Sequence, residues 1–331
     1  MYSINYLKEK FEKIAKISLI NPARDDAFCS IGVTTTGFTL ACLRKDKTKT
    51  ELDFIENVVC SPSTFMMELW GIVKKHNLDG VNCSWVLNPS QYQMLIYDEL
   101  PVKEEEFQSA IRWQIRKLLP YPIDDALIDS FPIPPAQISN PKKMIMIVTA
   151  QASYIQPIAS QISESGLNLS SIDIQELALR NINSLYEKDD GSTALLYLQE
   201  EASQLIITRQ KLFYFSRHLD WNFNSLTQAS VNQENVATYL DKLALEVQRS
   251  FDYFQSQWRY PAPTKVLVAS LSADVLDIAS YLAQRLRLQA LNLNLHEVLP
   301  AKHKLSRSLE FQHLSIIGGV LRDELEYVST N

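Results

Sequence analysis

Residues 193–217 read TALLYLQEEASQLIITRQKLFYFSR. Three apolar runs, 193–199, 203–208 and 211–217, are parted by short polar breaks, which is the pattern of three strands in a meander. Beyond them the spacing predicts a long helix over 233–257, a strand at 265–269, a helix at 273–286, a strand at 289–295 and a helix around 310–324. The same order stands earlier in the chain. Apolar runs at 28–33, 38–44 and 51–59 are parted by Thr34–Gly37 and Lys45–Thr50. Pro62 then opens a helix to about Asn77, because proline suits a first helical turn whose N–H groups have no partner within the helix. A strand at 81–87 follows and, after an interruption, a helix at 152–165, a strand at 168–174 and a helix at 176–186.

Two copies of βββαβαβα imply an α/β chain with a duplicated RNase H-like (actin-like ATPase) fold. The charged linker 187–192 divides it into a first domain, 26–187, and a second, 188–331. The interruption, about 88–150, is expected to form a small inserted α/β subdomain. Its helix, 104–119, has Glu104, Glu105 and Glu106 in the first turn and Arg116 and Lys117 in the last, which complements the helix dipole. Strand-like runs follow at 126–134 and 143–149. Phe107, Ile111, Ile115 and Leu118 form the helix's buried stripe, with Trp113 facing roughly the other way.

With 331 residues, 46% of them hydrophobic, the chain can bury a core for two domains. A net charge of -6 and the lack of a basic run interleaved with aromatics argue against nucleic acid as a partner. No apolar stretch reaches the roughly 18 residues of a membrane span, and the start lacks a secretory signal, so a cytoplasmic protein is expected. Cys29, Cys42, Cys60 and Cys83 have no metal-ligand spacing and read as small, largely buried residues. Only 8 glycines are present, so glycine-dependent ligand loops are scarce. Residues 1–25 contain a basic amphipathic helix over 4–18, with Ile4, Leu7, Phe11 and Ile14 on one stripe and Lys8, Lys10, Lys13 and Lys16 on the other faces. Such a helix either lies on an anionic membrane surface through residues 1–20 or docks on the body or a partner.

The stretch Leu100–Pro134, LPVKEEEFQSAIRWQIRKLLPYPIDDALIDSFPIP, has an acidic helix start, an Ala-Ile-Arg-Trp centre at Ala110–Trp113 and a Pro-aromatic-Pro exit at Pro120–Pro122. In these features, in IDIQELALRNI at 172–182 and in EVQRSFDYF at 246–254, the chain resembles the PilM family of actin-like type IV pilus assembly proteins. The likeness covers about residues 26–325. Within the family it is most similar to the MSHA-pilus branch represented by MshI. The resemblance implies a scaffold at the cytoplasmic face of the inner membrane. It also implies that the groove between the first domain and the insertion takes the N-terminal cytoplasmic peptide of a PilN-like inner-membrane protein, with other assembly-platform proteins as further partners. Arg112, Trp113, Arg116 and Tyr121 are candidate contacts on chemical grounds, an aromatic anchor among charges being typical of binding hot spots. The alternative for Trp113 is packing within the protein.

The same resemblance implies a decayed nucleotide site. The family's first phosphate hairpin reads Asp-Ile-Gly-Ser-Ser-Ser-x-Lys; here Ser30, Ile31, Gly32, Val33, Thr34, Thr35, Thr36 and Gly37 stand in its place, without the acid or the lysine. The second hairpin's Asp-x-Gly is Tyr197, Leu198 and Gln199, followed by a Glu pair that repels polyphosphate. The glycine-rich base loop is Ala269, Ser270, Leu271, Ser272 and Ala273. Phosphoryl transfer depends on those charge-assisted contacts, so no ATP or Mg2+ cofactor, no metal site and no ATPase activity are expected. The alternative within this fold is an ATP-binding actin-like switch of a type IV pilus or type II secretion-related machine. No other catalytic motif is present.

Overall fold

The computed structural model describes residues 24–322 except 46–48, 140, 189, 201, 225, 227–235, 271–276 and 304. The helix expected at 4–18 lies outside them. Contacts group the chain into two compact units: one runs to Pro135 and resumes over Lys142–Gln175, and the other takes Ala136–Pro141 with everything from Glu176 onward.

In the first unit, β1 (Arg24–Thr34), β2 (Gly37–Lys45) and β3 (Thr50–Val59) form the antiparallel meander. α1 (Phe65–Lys75) follows, then β4 (Val81–Leu87). β8 (Asn168–Ile174) completes a five-stranded sheet of order β3-β2-β1-β4-β8, with β4 parallel to β1. α1 buries Phe65, Leu69, Ile72 and Val73, the 3.6-residue stripe of a helix with one face on a core. Cys29 on β1 is in register with Cys42 on β2 and Cys83 on β4, and all three thiols are fully enclosed; Cys60, just past β3, is only half-buried. Burial holds the Cys83 thiol far above its ordinary range.

The insertion consists of β5 (Tyr92–Asp98), α2 (Glu104–Ile115), β6 (Ala126–Ile133) and β7 (Met144–Gln151). It is a three-stranded antiparallel sheet, β5-β7-β6, under one helix. Ile111 and Ile115 pack on Ala126, Ile128, Ile145 and Ile147, with Phe107, Leu119 and Tyr121 at the margin. Two expectations need correction. The run YQMLIYD at 92–98 is a third strand. Leu118 is half-exposed because α2 ends at Ile115, and a tighter turn, Leu118 N–H to the Ile115 carbonyl, swings it off the stripe. α3 (Ala152–Glu164) returns the chain to the parent sheet.

The second unit repeats the plan. β9 (Ser192–Leu198), β10 (Ser203–Arg209), β11 (Leu212–Leu219), β12 (Lys265–Ser270) and β13 (Gln289–Asn292) form a sheet of order β11-β10-β9-β12-β13. Its helices are α4 (Gln175–Ser184), α5 (Val236–Trp258), α6 (Ile278–Leu286), α7 (Arg307–Gln312) and α8 (Leu314–Val320). The single helix expected at 310–324 is therefore two, broken at His313, whose φ of -116° and ψ of 22° leave the helical region. α4 closes the order of the first half, yet all but its first residue belongs to the second unit. Three of its buried polar side chains find partners there: the Gln204 amide donates to Glu176 at 2.7 Å, Asn181 to the Gly318 carbonyl at 2.9 Å, and the Asn183 amide nitrogen to the Thr193 carbonyl at 3.0 Å, while the Asn183 Oδ1 is buried without one among the described residues.

Candidate functional site

Each expected phosphate hairpin is a turn between strands, and the two have different structural surroundings. In the first unit β1 turns into β2 through Thr35 and Thr36. The Thr34 hydroxyl donates to the Gly37 carbonyl at 3.1 Å and accepts from the Thr36 N–H at 3.3 Å, a hydroxyl-braced turn of the kind serine and threonine favour. Gly37 has φ +149°, and a Cβ there would lie 1.9 Å from the Val58 carbonyl oxygen. Its glycine is thus demanded by the approach of β3, with no ligand needed to explain it. Ser30, where the resemblance implied an acid, is wholly enclosed mid-strand opposite Ala41 and Ser84. Gly32 lies two residues on, opposite Thr39.

The hairpin forms one wall of a cavity of about 510 Å³. Thr34 and Thr35 line it on one side, Asn88, Gln91 and Tyr121 from the insertion on another, and Gln151 and Tyr154 close it. Every lining side chain is uncharged: amides, hydroxyls and phenols are interspersed with the apolar surface of Val33, Pro120 and the tyrosine rings. Gln91 braces it: its side-chain amide donates to the Val33 carbonyl at 3.3 Å and to the Tyr154 hydroxyl at 2.8 Å, while its oxygen accepts the Asn88 N–H at 2.8 Å. Tyr121 donates to the Thr149 hydroxyl at 3.3 Å, and burial raises its phenol above the ordinary tyrosine range. Below the wall, Asp125 caps α3, accepting from the Ser153 N–H at 2.8 Å, the Ser153 hydroxyl at 2.7 Å and the Gln151 amide at 2.8 Å. Those hydrogen bonds lower its pKa, so the clamp joining insertion to parent domain is intact at neutral pH.

Of the four candidate contacts, only Tyr121 reaches this cavity. The Arg112 guanidinium is tied to the Ile123 and Ala126 carbonyls at 2.8 and 3.1 Å, so it closes the insertion on itself. Trp113, on α2, is 73% exposed, and Arg116, just past the helix's end, is exposed as well. Thr34 and Thr35 share this cavity with Tyr121, about 86 residues further along the chain, a meeting that no local sequence pattern encodes.

In the second unit, Tyr197 stands where the resemblance implied an acid. It is buried, its hydroxyl donates to the Phe311 carbonyl at 2.9 Å, and its ring meets that of Phe311 edge-on at 5.2 Å. β12 places Ala269 opposite Tyr197 and Ser270 opposite Leu198, both buried. Gln199 follows in the turn, its N–H donating to the Ala202 carbonyl at 3.1 Å. Leu271–Ala273, the rest of the expected base loop, lie outside the described residues. Among the described residues no cluster of His, Cys, Asp and Glu has the makings of a metal site.

No family model matches the chain, and no curated protein matches it. Among solved structures it is similar to a chain of a PilM–PilN type IV pilus biogenesis complex, at 16% identity and a TM-score of 0.61, over 88% of this chain and 96% of that one. It is similar also to the cytoplasmic domain of EpsL, an inner-membrane component of the type II secretion system of Vibrio cholerae (10% identity, TM-score 0.45, 87% and 93% covered). A third likeness is to a protein of actin-like ATPase fold and unknown function from Bacteroides thetaiotaomicron (11% identity, TM-score 0.45, 88% and 95% covered). With the two repeated sheets, the first likeness shows the fold: a duplicated RNase H-like, actin-like ATPase fold. No described helix is long and apolar enough to cross a membrane.

Proposed function

We propose that the protein is a non-hydrolysing adaptor of a type IV pilus assembly platform, of the MSHA type that MshI represents. It works in the cytoplasm, peripheral to the inner membrane, and holds the N-terminal cytoplasmic peptide of a PilN-like inner-membrane protein in the cavity between the first hairpin and the insertion. The observation that carries this is the cavity wall. Amides, hydroxyls and tyrosines match the alternating donors and acceptors of an extended peptide, whereas a polyphosphate would find no cation in the lining. The solved PilM–PilN complex, which shares the fold, supports the choice of partner. The exposed Trp113 and Arg116 then serve another platform protein.

The test is a calorimetric titration with the synthetic N-terminal peptide of the PilN-like protein. Tyr121→Ala and Thr35→Trp, which empties and fills the cavity respectively, are each expected to weaken binding at least tenfold, about 1.4 kcal/mol. Trp113→Ala should leave this peptide's affinity unchanged. Equal affinity of all variants and the parent protein would reject the cavity as the peptide site.

A further inference from the structure

The outer face of α1 carries an apolar stripe that the described body leaves uncovered. Met67 is 60% exposed and Trp70 49%, at a spacing of three residues, with Lys74 one turn further, its ammonium 5.8 Å from the Trp70 ring centroid. Gly71 sits beside Trp70, and a Cβ built there meets nothing within 4 Å. Glycine weakens a helix interior, so one without a steric reason from the chain's own body leaves a notch in which another side chain can seat. Glu68, exposed in the first turn of the same helix, adds an acid to that face.

The start of β1 says what lies within reach. The Arg24 N–H donates to the Gly80 carbonyl at 3.1 Å and its guanidinium to the Asn77 carbonyl at 2.8 Å, so the chain enters the first unit at the C-terminal end of α1. The residues before it include the apolar series Ile4, Leu7, Phe11 and Ile14, with Lys8, Lys10, Lys13 and Lys16 around it. We propose that this amino-terminal segment docks along the exposed stripe of α1, parallel to it, with Leu7 level with Met67 and Phe11 at the Trp70–Gly71 notch. The lengths agree: Leu7 to Ile14 spans roughly 10 Å as helix, as does Met67 to Lys74. Residues 19–23, with Pro22 ending any helix, bridge up to roughly 16 Å to Arg24. Tethering raises the segment's effective concentration to about millimolar, so a contact of four apolar side chains suffices to fill the face. Its lysines find Glu68 there.

The experiment uses the full chain with Cys60→Ser, the other three native thiols being enclosed. Leu7→Cys is paired with Met67→Cys and, as a control in the same unit, with Ile96→Cys, which is 52% exposed on the insertion. Mild oxidation is expected to cross-link the first pair within one chain at least tenfold faster than the second. A cross-link between chains would assign the face to a second copy and overturn the proposal. Equal rates for the two pairs, with Leu7 instead shielded on adding phosphatidylglycerol vesicles, would assign the segment to the membrane and overturn it equally.

Discussion

Gly318→Val is expected to destabilise the protein by about 3 kcal/mol or more, a size confined to clashes and lost buried networks. A Cβ at Gly318 would stand 2.1 Å from the Ala178 carbonyl oxygen and 2.6 Å from its carbon. Both are backbone atoms of α4, so no rotamer change relieves the overlap. α8 would have to withdraw, and the Gly318 carbonyl would then leave the Asn181 amide without its 2.9 Å acceptor. A buried donor left unmatched adds about 1–3 kcal/mol. The denaturation midpoint measures this, with Gly71→Ala as the contrast: no described residue crowds that position, so alanine's gain in helix propensity offsets any loosening of Phe11 in the notch, and stability should move by no more than about 1 kcal/mol either way. An unchanged midpoint for Gly318→Val would mean that α8 does not approach α4 this closely.

The second large effect is at Tyr197. Tyr197→Phe keeps the ring against Phe311 but orphans a buried carbonyl, and about 1–3 kcal/mol should be lost. Tyr197→Asp introduces the acid that the resemblance implied at this position and should fare far worse. It removes an aromatic side chain, worth about 3–5 kcal/mol in a core, and puts a carboxylate beside Phe311 and Ala269. Thermal and chemical denaturation read both variants. If Tyr197→Asp were as stable as the parent and gained nucleotide binding, the position would be an open ligand site, and the idea that packing has taken it over would fail.

The duplication was legible because both halves carry their strands as clean apolar runs parted by polar turns, and their helices as amphipathic stripes. β5 was harder, since its outward residues Met94 and Ile96 are apolar as well and blur the alternation that marks a half-buried strand. The break at His313 lies inside a continuous helical pattern and shows only in the backbone angles. Assigning α4 to the second unit required knowing where Glu176, Asn181 and Asn183 find partners, which no local pattern encodes. At the candidate site the residue types could be read directly, but not what each side chain contacts. That Gly37 answers to Val58, that Tyr197 answers to Phe311, and that Arg112 is bound to Ile123 and Ala126 are all long-range facts.

Calorimetric titration of the purified protein with ATP and Mg2+, with ADP as a control, bears most directly on whether this fold here serves as an adaptor or a nucleotide machine. No heat of binding at millimolar nucleotide is expected, because the first hairpin offers hydroxyls without a cation and the second has buried Tyr197 where the acid would stand. Saturable binding at micromolar ATP would contradict that and make the protein a nucleotide-gated switch.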